Sequence, residues 1–203
     1  PNVEVVVQEG NQRAMTEMLR EDQLDLMLCN LVNQEGELEY EHLCWDPVIF
    51  LVQSAHPCCR YARYRDTFYH PWIDLREFEQ EIFILQHQGQ SLRQYSDQLL
   101  EEAGLSPQRI TQIRNIETAA QMAANGLGVS FCLESYFRHM MFIQPPYRFS
   151  VGERQLAADF SAAYRRGRQL PEYTVQFIHL LKNLMEMEVG RMVEMDKSVN
   201  KNL

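Results

Sequence analysis

Apolar residues in this chain fall in short runs separated by polar turns, and the spacing within each run separates strands from helices. Val3-Glu-Val-Val-Val-Gln8 is a β-branched run closed by Glu9-Gly10, and it reads as a buried strand. Asn11 is a plausible N-cap, and Ala14, Met15, Met18 and Leu19 then share one helical face. Asp22-Gln23 ends that helix, and Leu24-Asp-Leu-Met-Leu28 begins a second strand. Strand, helix and strand within about thirty residues predict a βαβ unit with a right-handed crossover and a parallel sheet. Leu38 to Trp45 and Val48 to Gln53 give two more strands, with Asp46-Pro47 as the break between them.

Residues 54 to 78 are less regular and read as connecting structure. Their Arg60, Arg63 and Arg65 among Tyr61, Tyr64, Phe68, Tyr69 and Trp72 fit a solvated face better than a nucleic-acid patch. Glu81-Ile-Phe-Ile-Leu85 is another short strand, running into Gln86-His-Gln-Gly-Gln-Ser91. Ser91 with Gln94 has the form of a capping box. Leu92, Tyr95, Leu99 and Ala103 line the helix that follows, which stops at Gly104. Ile110 to Ile113 alternates like a strand, Asn115 caps a helix carrying Ile116, Ala119, Ala120 and Ala123, and Val129 to Leu133 is strand-like again. Beyond Pro145-Pro146, Leu156 to Tyr164 reads as a strand. Pro171 opens a last helix with Val175, Ile178, Leu181 and Met185 as its core stripe. The mixed, charged residues 188–203 read as a frayed tail. Strands alternate with helices almost throughout, so the fold class is α/β, with two lobes between which the chain crosses near residue 86.

Composition narrows the function without selecting one. The chain has 203 residues, and 45% are apolar against 23% charged, an ordinary balance for a globular protein. No apolar run approaches the roughly 18–20 residues of a membrane-spanning helix. A net charge of −9 argues against the chain gripping a phosphate backbone by itself. The five cysteines, Cys29, Cys44, Cys58, Cys59 and Cys132, follow no metal-binding or disulfide spacing. Cys29 and Cys132 sit in apolar runs as small hydrophobes, and the whole pattern suits a reducing cytoplasm. No metal or cofactor is expected, and P-loop, GxSxG, HExxH and GxGxxG signatures are all absent. Gly126-Leu-Gly128 follows a helix instead of opening one, so Gly126 reads as a helix stop. His87 stands at a strand-to-helix turn without an orienting acid, which favours a polar or surface role over catalysis. The chain reads as a non-enzyme.

Ligands of open α/β sheets sit beyond the carboxyl ends of strands, where helix N-termini point. Cys29-Asn30, Gln86-His87-Gln88 through Ser91, and Asn115 through Glu117-Thr118 occupy such places. Hydroxyls, amides and free backbone N–H groups there suit a small polar or anionic ligand. Plain helix capping by Ser91 and Asn115 explains the same residues without a ligand. Arg93 adds a charge if its side chain turns toward the ligand.

The order of the motifs resembles the effector-binding domain of LysR-type transcriptional regulators. The residues that carry this are Val3–Gly10, Leu24-Asp25-Leu26-Met27-Leu28 and His56-Pro57, followed by Asp74-Leu75 ahead of Phe83-Ile84-Leu85. Gly104 with Pro107, and Gly126-Leu127-Gly128-Val129, complete the series, which covers roughly residues 1–185. The resemblance implies a two-lobed fold like that of the type 2 periplasmic binding proteins, with an effector cleft between the lobes. On this sequence, lobe I is residues 1–85, completed by about 166–187, and lobe II is residues 86–165. Effector contacts are then expected from Cys29, Asn30, Gln86, His87, Gln88, Ser91, Glu117 and Thr118.

The resemblance also implies a small-molecule effector, promoter DNA bound through a winged helix-turn-helix, and a homodimer or homotetramer of the full-length regulator. By the same comparison the winged helix-turn-helix, the linker helix, and the effector domain's first strand and helix lie outside this sequence. In relatives that first helix packs against the equivalent of Ile116–Asn125 at the dimer interface. Leu133-Glu134 departs from the Leu-Pro that family members often carry. A solute-binding component of a transporter on the same fold is the alternative function.

Overall fold

The computed structural model describes residues 3–199. It divides the chain into two compact units, residues 1–45 with 159–203, and residues 46–158. Two strands are shared between them. Strand β2 (Leu38–Val52) leaves the first unit at Trp45, and β7 (Ala157–Arg165) re-enters it at Asp159.

The division differs from the expected one at residues 85/86 and 165/166. The reason is pairing: Ile82–Leu85, labelled β3, lies inside the second unit between two parallel neighbours. Nor does Asp46-Pro47 break a strand, because β2 runs 15 residues through it. Pro47 lies just outside the Val48–Leu51 ladder, where its missing N–H costs nothing.

In the first unit, α1 (Gln12–Arg20) is capped by Asn11, whose side chain accepts from Ala14 N at 2.9 Å. At its other end Asp22 takes a left-handed conformation (φ 56°), and Gln23 N reaches back to Met18 O. Leu24 N is drawn to the same carbonyl, so β1 begins only at Met27 and runs to Leu31. β1 pairs antiparallel with β7, Cys29 lying opposite Ser161. The N-terminal valines do not form the expected strand. Val3, Val5, Val6 and Val7 are 50–81% exposed and belong to no regular element. β-propensity alone does not make a strand; a ladder partner must satisfy the backbone. The parallel crossover expected here is therefore absent among the described residues.

One face of this sheet packs Met27, Leu38 and Ala163 against Leu19 of α1. The other packs Leu43 and Ala162 against Ile178 of α5 (Glu172–Val199), with Leu181 alongside. Residues 188–199, expected to fray, are helical; Glu, Met, Arg and Lys are strong helix formers and no proline interrupts them. Residues 200–203 lie outside the described part.

The second unit contains α2 (Ser91–Glu102), β4 (Arg109–Gln112), α3 (Ile116–Ala124), β5 (Val129–Leu133), α4 (Glu134–His139) and β6 (Tyr147–Phe149). Its strand order is β2-β5-β3-β4, with β6 beside β2. β3 is parallel to both β4 and β5, so the β3-α2-β4-α3-β5 succession winds first to one side of β3 and then to the other. α2 and α3 both end at left-handed glycines, Gly104 and Gly126. There Leu105 N bonds Leu100 O, and Leu127 N bonds Met122 O. α3 and α4 cover Ile49, Leu51 and Cys132. Elsewhere in the unit Phe50 contacts the rings of Phe78, Phe83 and Phe131 at 5.0–6.3 Å.

Candidate functional site

Strand order reverses between β5 and β4 around β3, and in open α/β sheets a crevice opens at the carboxyl ends beside such a reversal. Gln86 is the first residue beyond β3. Its side chain is fully buried, and neither Nε2 nor Oε1 has a hydrogen-bond partner. The loop that follows folds back tightly. His87 N donates to Gln90 Oε1 at 3.1 Å, and Gln90 Nε2 donates to Arg114 O at 3.1 Å, tying the start of α2 to the loop before α3. Gln90, not Ser91, is the N-cap of α2, and no side chain caps that helix. The expected Ser91–Gln94 box is therefore not formed, because Ser91 is the first residue inside the helix; Gln90's own amide is committed to the loop.

Arg93 is engaged within the protein. It is buried, with Nη1 donating to Gln86 O at 3.0 Å and Nε to Asp97 Oδ1 at 2.7 Å. At α3, Asn115 Oδ1 accepts from Thr118 N at 2.8 Å, so that helix start is conventionally capped. His87, Gln88, Glu117 and Thr118 are exposed, and Ser91 is half-buried. A concavity of about 460 Å³ lies elsewhere in this unit, along the distal part of α2 against Leu85, Leu105, Pro107 and Ile110. None of the candidate effector residues lines it.

In the first unit, Cys29 and Asn30 lie within β1 instead of following the strand. Burial, with the charge of Asp159 second, pushes the Cys29 thiol up to about 11. Asn30 Oδ1 is buried without a partner. Nearby, Asp159 Oδ1 accepts from Ser161 Oγ at 2.7 Å and lies 2.7 Å from His42 Nδ1. Both groups meet the carboxylate and not each other, so the trio lacks the hydroxyl–imidazole contact of a nucleophile and its base.

The residues that sequence reasoning missed form a buried ion cluster. Glu134, 2% exposed, meets His70 Nε2 at 2.8 Å, Arg148 Nη1 at 2.6 Å and Arg138 Nε at 3.1 Å. Burial alone, the largest influence, raises its pKa. The hydrogen bond and charge of His70 and the two arginines outweigh that and hold the carboxyl at about 2. The one signal in the sequence was Glu134 itself, in a place where a proline is common. Next to it, Asp46 Oδ1 accepts from Ser135 N at 3.0 Å, and its Oδ2 accepts from the Ser135 hydroxyl. These bonds cap α4 from β2, since Leu133, its N-cap residue, has no side-chain acceptor. Among the described residues no group of three or more His, Cys, Asp and Glu side chains is placed to hold a metal, and no helix is long and apolar enough to cross a membrane.

A doubly wound second unit, a first unit completed by the returning C-terminal chain, and polar groups at strand ends define an α/β ligand-binding fold of the periplasmic-binding-protein type. The LysR substrate binding domain model matches residues 1–186, and the chain belongs to that family. Among solved structures, the Synechocystis PCC6803 CcmR regulatory domain in complex with 2-PG has a TM-score of 0.70 at 18% identity, covering 86% of this chain and 79% of that one. The BenM effector binding domain with benzoate has a TM-score of 0.71 at 16% identity, covering 90% of this chain and 78% of that one.

Curated relatives are transcriptional regulators. HTH-type transcriptional regulator CysL of Bacillus subtilis is 25% identical over 138 residues, 68% of this chain and 43% of its own length. HTH-type transcriptional regulator CbbR of Rhodospirillum rubrum is 21% identical over 182 residues, 90% of this chain and 57% of its own. The chain thus spans about half the length of the curated relatives it matches. These relatives favour a regulator over a transport component.

Proposed function

We propose that this chain is the effector-sensing part of a LysR-type transcriptional regulator. The family match over residues 1–186 carries the reading. A small molecule is recognised by polar side chains of the second unit, Gln86, His87, Gln88 and Ser91, then Glu117 and Thr118; Cys29 and Asn30 are the candidate effector residues of the first unit. The ligand binds two arrangements of the protein with different affinity and shifts their populations; a ligand that bound both equally would change nothing.

The response reaches promoter DNA through a winged helix-turn-helix outside this chain, in a homodimer or homotetramer in the cytoplasm. The net charge of −9 agrees with DNA contacts lying elsewhere. The domain binds its ligand without transforming it, and no cofactor takes part. The test is a thermal-shift screen against small carboxylates, amino acids and aromatic acids, with Ser91→Ala and Thr118→Ala alongside. A stabilising ligand whose effect both substitutions abolish is the expected result. Failure of every class to stabilise either this chain or the full-length regulator would sink the proposal.

A further inference from the structure

Gln86 carries more information than its position. A primary amide has two donors and an acceptor, and burying it with none of them paired is costly. Gln86 is fully buried, and both its Nε2 and its Oε1 lack partners. It stands at the carboxyl end of β3, where the strand order reverses. Beyond the loop 87–90, the 12-residue helix α2 begins without a side-chain cap, leaving backbone donors at its positive end. The cation of its first turn, Arg93, is already spent on Gln86 O and on Asp97.

From these features we infer that the effector is a small carboxylic acid bearing a hydroxyl or ammonium group beside its carboxylate; this rests on the effector-sensing reading above. The carboxylate accepts from Gln86 Nε2 and from the uncapped start of α2. The neighbouring hydroxyl or ammonium donates to Gln86 Oε1. Each orphaned atom of the amide thereby gains its complement, which a simple carboxylate, having only acceptors, cannot provide. Arg93, engaged by Gln86 O and Asp97, adds no free charge to pair with a phosphate dianion, so a singly charged carboxylate is the better match.

The experiment is titration calorimetry on this chain with matched pairs: lactate against propionate, malate against succinate, and phenyllactate or phenylalanine against phenylpropionate, with inorganic phosphate as a further probe. In at least one pair, the acid with the donor should bind about tenfold or more tightly, because its partner leaves Oε1 unpaired. Gln86→Leu should bring that ratio to about one. It should also leave the free chain's melting temperature unchanged or raised, since an orphaned amide has been replaced by an apolar group of similar size. A purely structural glutamine would lower it. Gln86→Glu, nearly isosteric, should lose the hydroxy or amino acid by repulsion while staying folded.

Members of each pair binding equally, or phosphate binding more tightly than either, would overturn the assigned class. If Gln86→Leu still weakened binding in that case, the sensing reading would stand. If no acid bound while other compounds stabilised the chain in a Gln86-dependent way, the class alone would again be wrong. Should nothing bind this chain or the full-length regulator, both would fall together.

Discussion

Glu134 is held by three side chains of the second unit. Three cationic or hydrogen-bonding partners surround a carboxylate that is 2% exposed, and each loses its counterpart if the charge is removed. Glu134→Gln should cost about 3 kcal/mol at neutral pH, because breaking one side of a buried ionic cluster strands the other. The pH dependence follows from the depressed pKa. With the folded carboxyl at about 2, its stabilisation is complete above the ordinary carboxylate range and fades as pH falls toward that value. Chemical denaturation should therefore show the gap between wild type and variant steady from pH 7 to 5 and narrowing below.

Thiol chemistry at Cys29 and Cys132 points the other way. Burial pushes them up to about 11 and about 12, so little thiolate forms at neutral pH. Alkylation of native protein at pH 7.5 should leave both unmodified long after an unfolded control has reacted, as peptide mass spectrometry would show.

Turns and caps decide how the elements meet. Gly128 lies between α3 and β5, and a β-carbon built on it would collide with the backbone oxygen of Ile82. The obstacle is the backbone of the neighbouring strand β3 and not a flexible side chain, so Gly128→Ala should cost about 2–4 kcal/mol. A denaturation midpoint close to wild type would contradict that contact. Asp46 presents the opposite case. Burial raises its pKa despite the two bonds from Ser135, so its ionised form is disfavoured in the fold and its contribution declines as pH rises through the carboxylate range. Asp46→Asn keeps an acceptor for Ser135 N and should stay within about 1 kcal/mol of wild type at pH 7. Asp46→Ala, which uncaps α4, should cost about 1–2 kcal/mol.

Ligand binding acts on the folded molecule as a unit. An effector at a hundred times its Kd adds about 2.7 kcal/mol, or roughly 5–10 °C in melting temperature for a chain of this length. That rise is what a scanning melt in the presence of the effector should return. Family membership makes such linkage the expected mode of action, yet the chemistry of the effector rests on a few polar atoms. Gln86 was legible as a candidate because it follows a strand. Its lack of partners was not, because that depends on how the surrounding residues pack. Ser91 shows the reverse, a capping signal overridden when Gln90 took the N-cap position and turned its own amide to the loop.

Local signals were sufficient wherever an element is defined by its own residues. Asn11 and Asn115 cap α1 and α3, left-handed glycines end α2 and α3, and the run Val129–Leu133 is β5 to the residue. Periodicity and capping act over one or two turns, and a sequence displays them directly. Motif order, preserved over most of the chain, was likewise enough to point to the family. Pairing was another matter. Whether Val3–Val7 became a strand, which neighbours β3 took, where one unit gave way to the other, and whether Glu134 met His70 and Arg148 all depend on segments outside the element concerned. Such contacts carry no local period, because they are selected by competition among all available partners once the chain has folded.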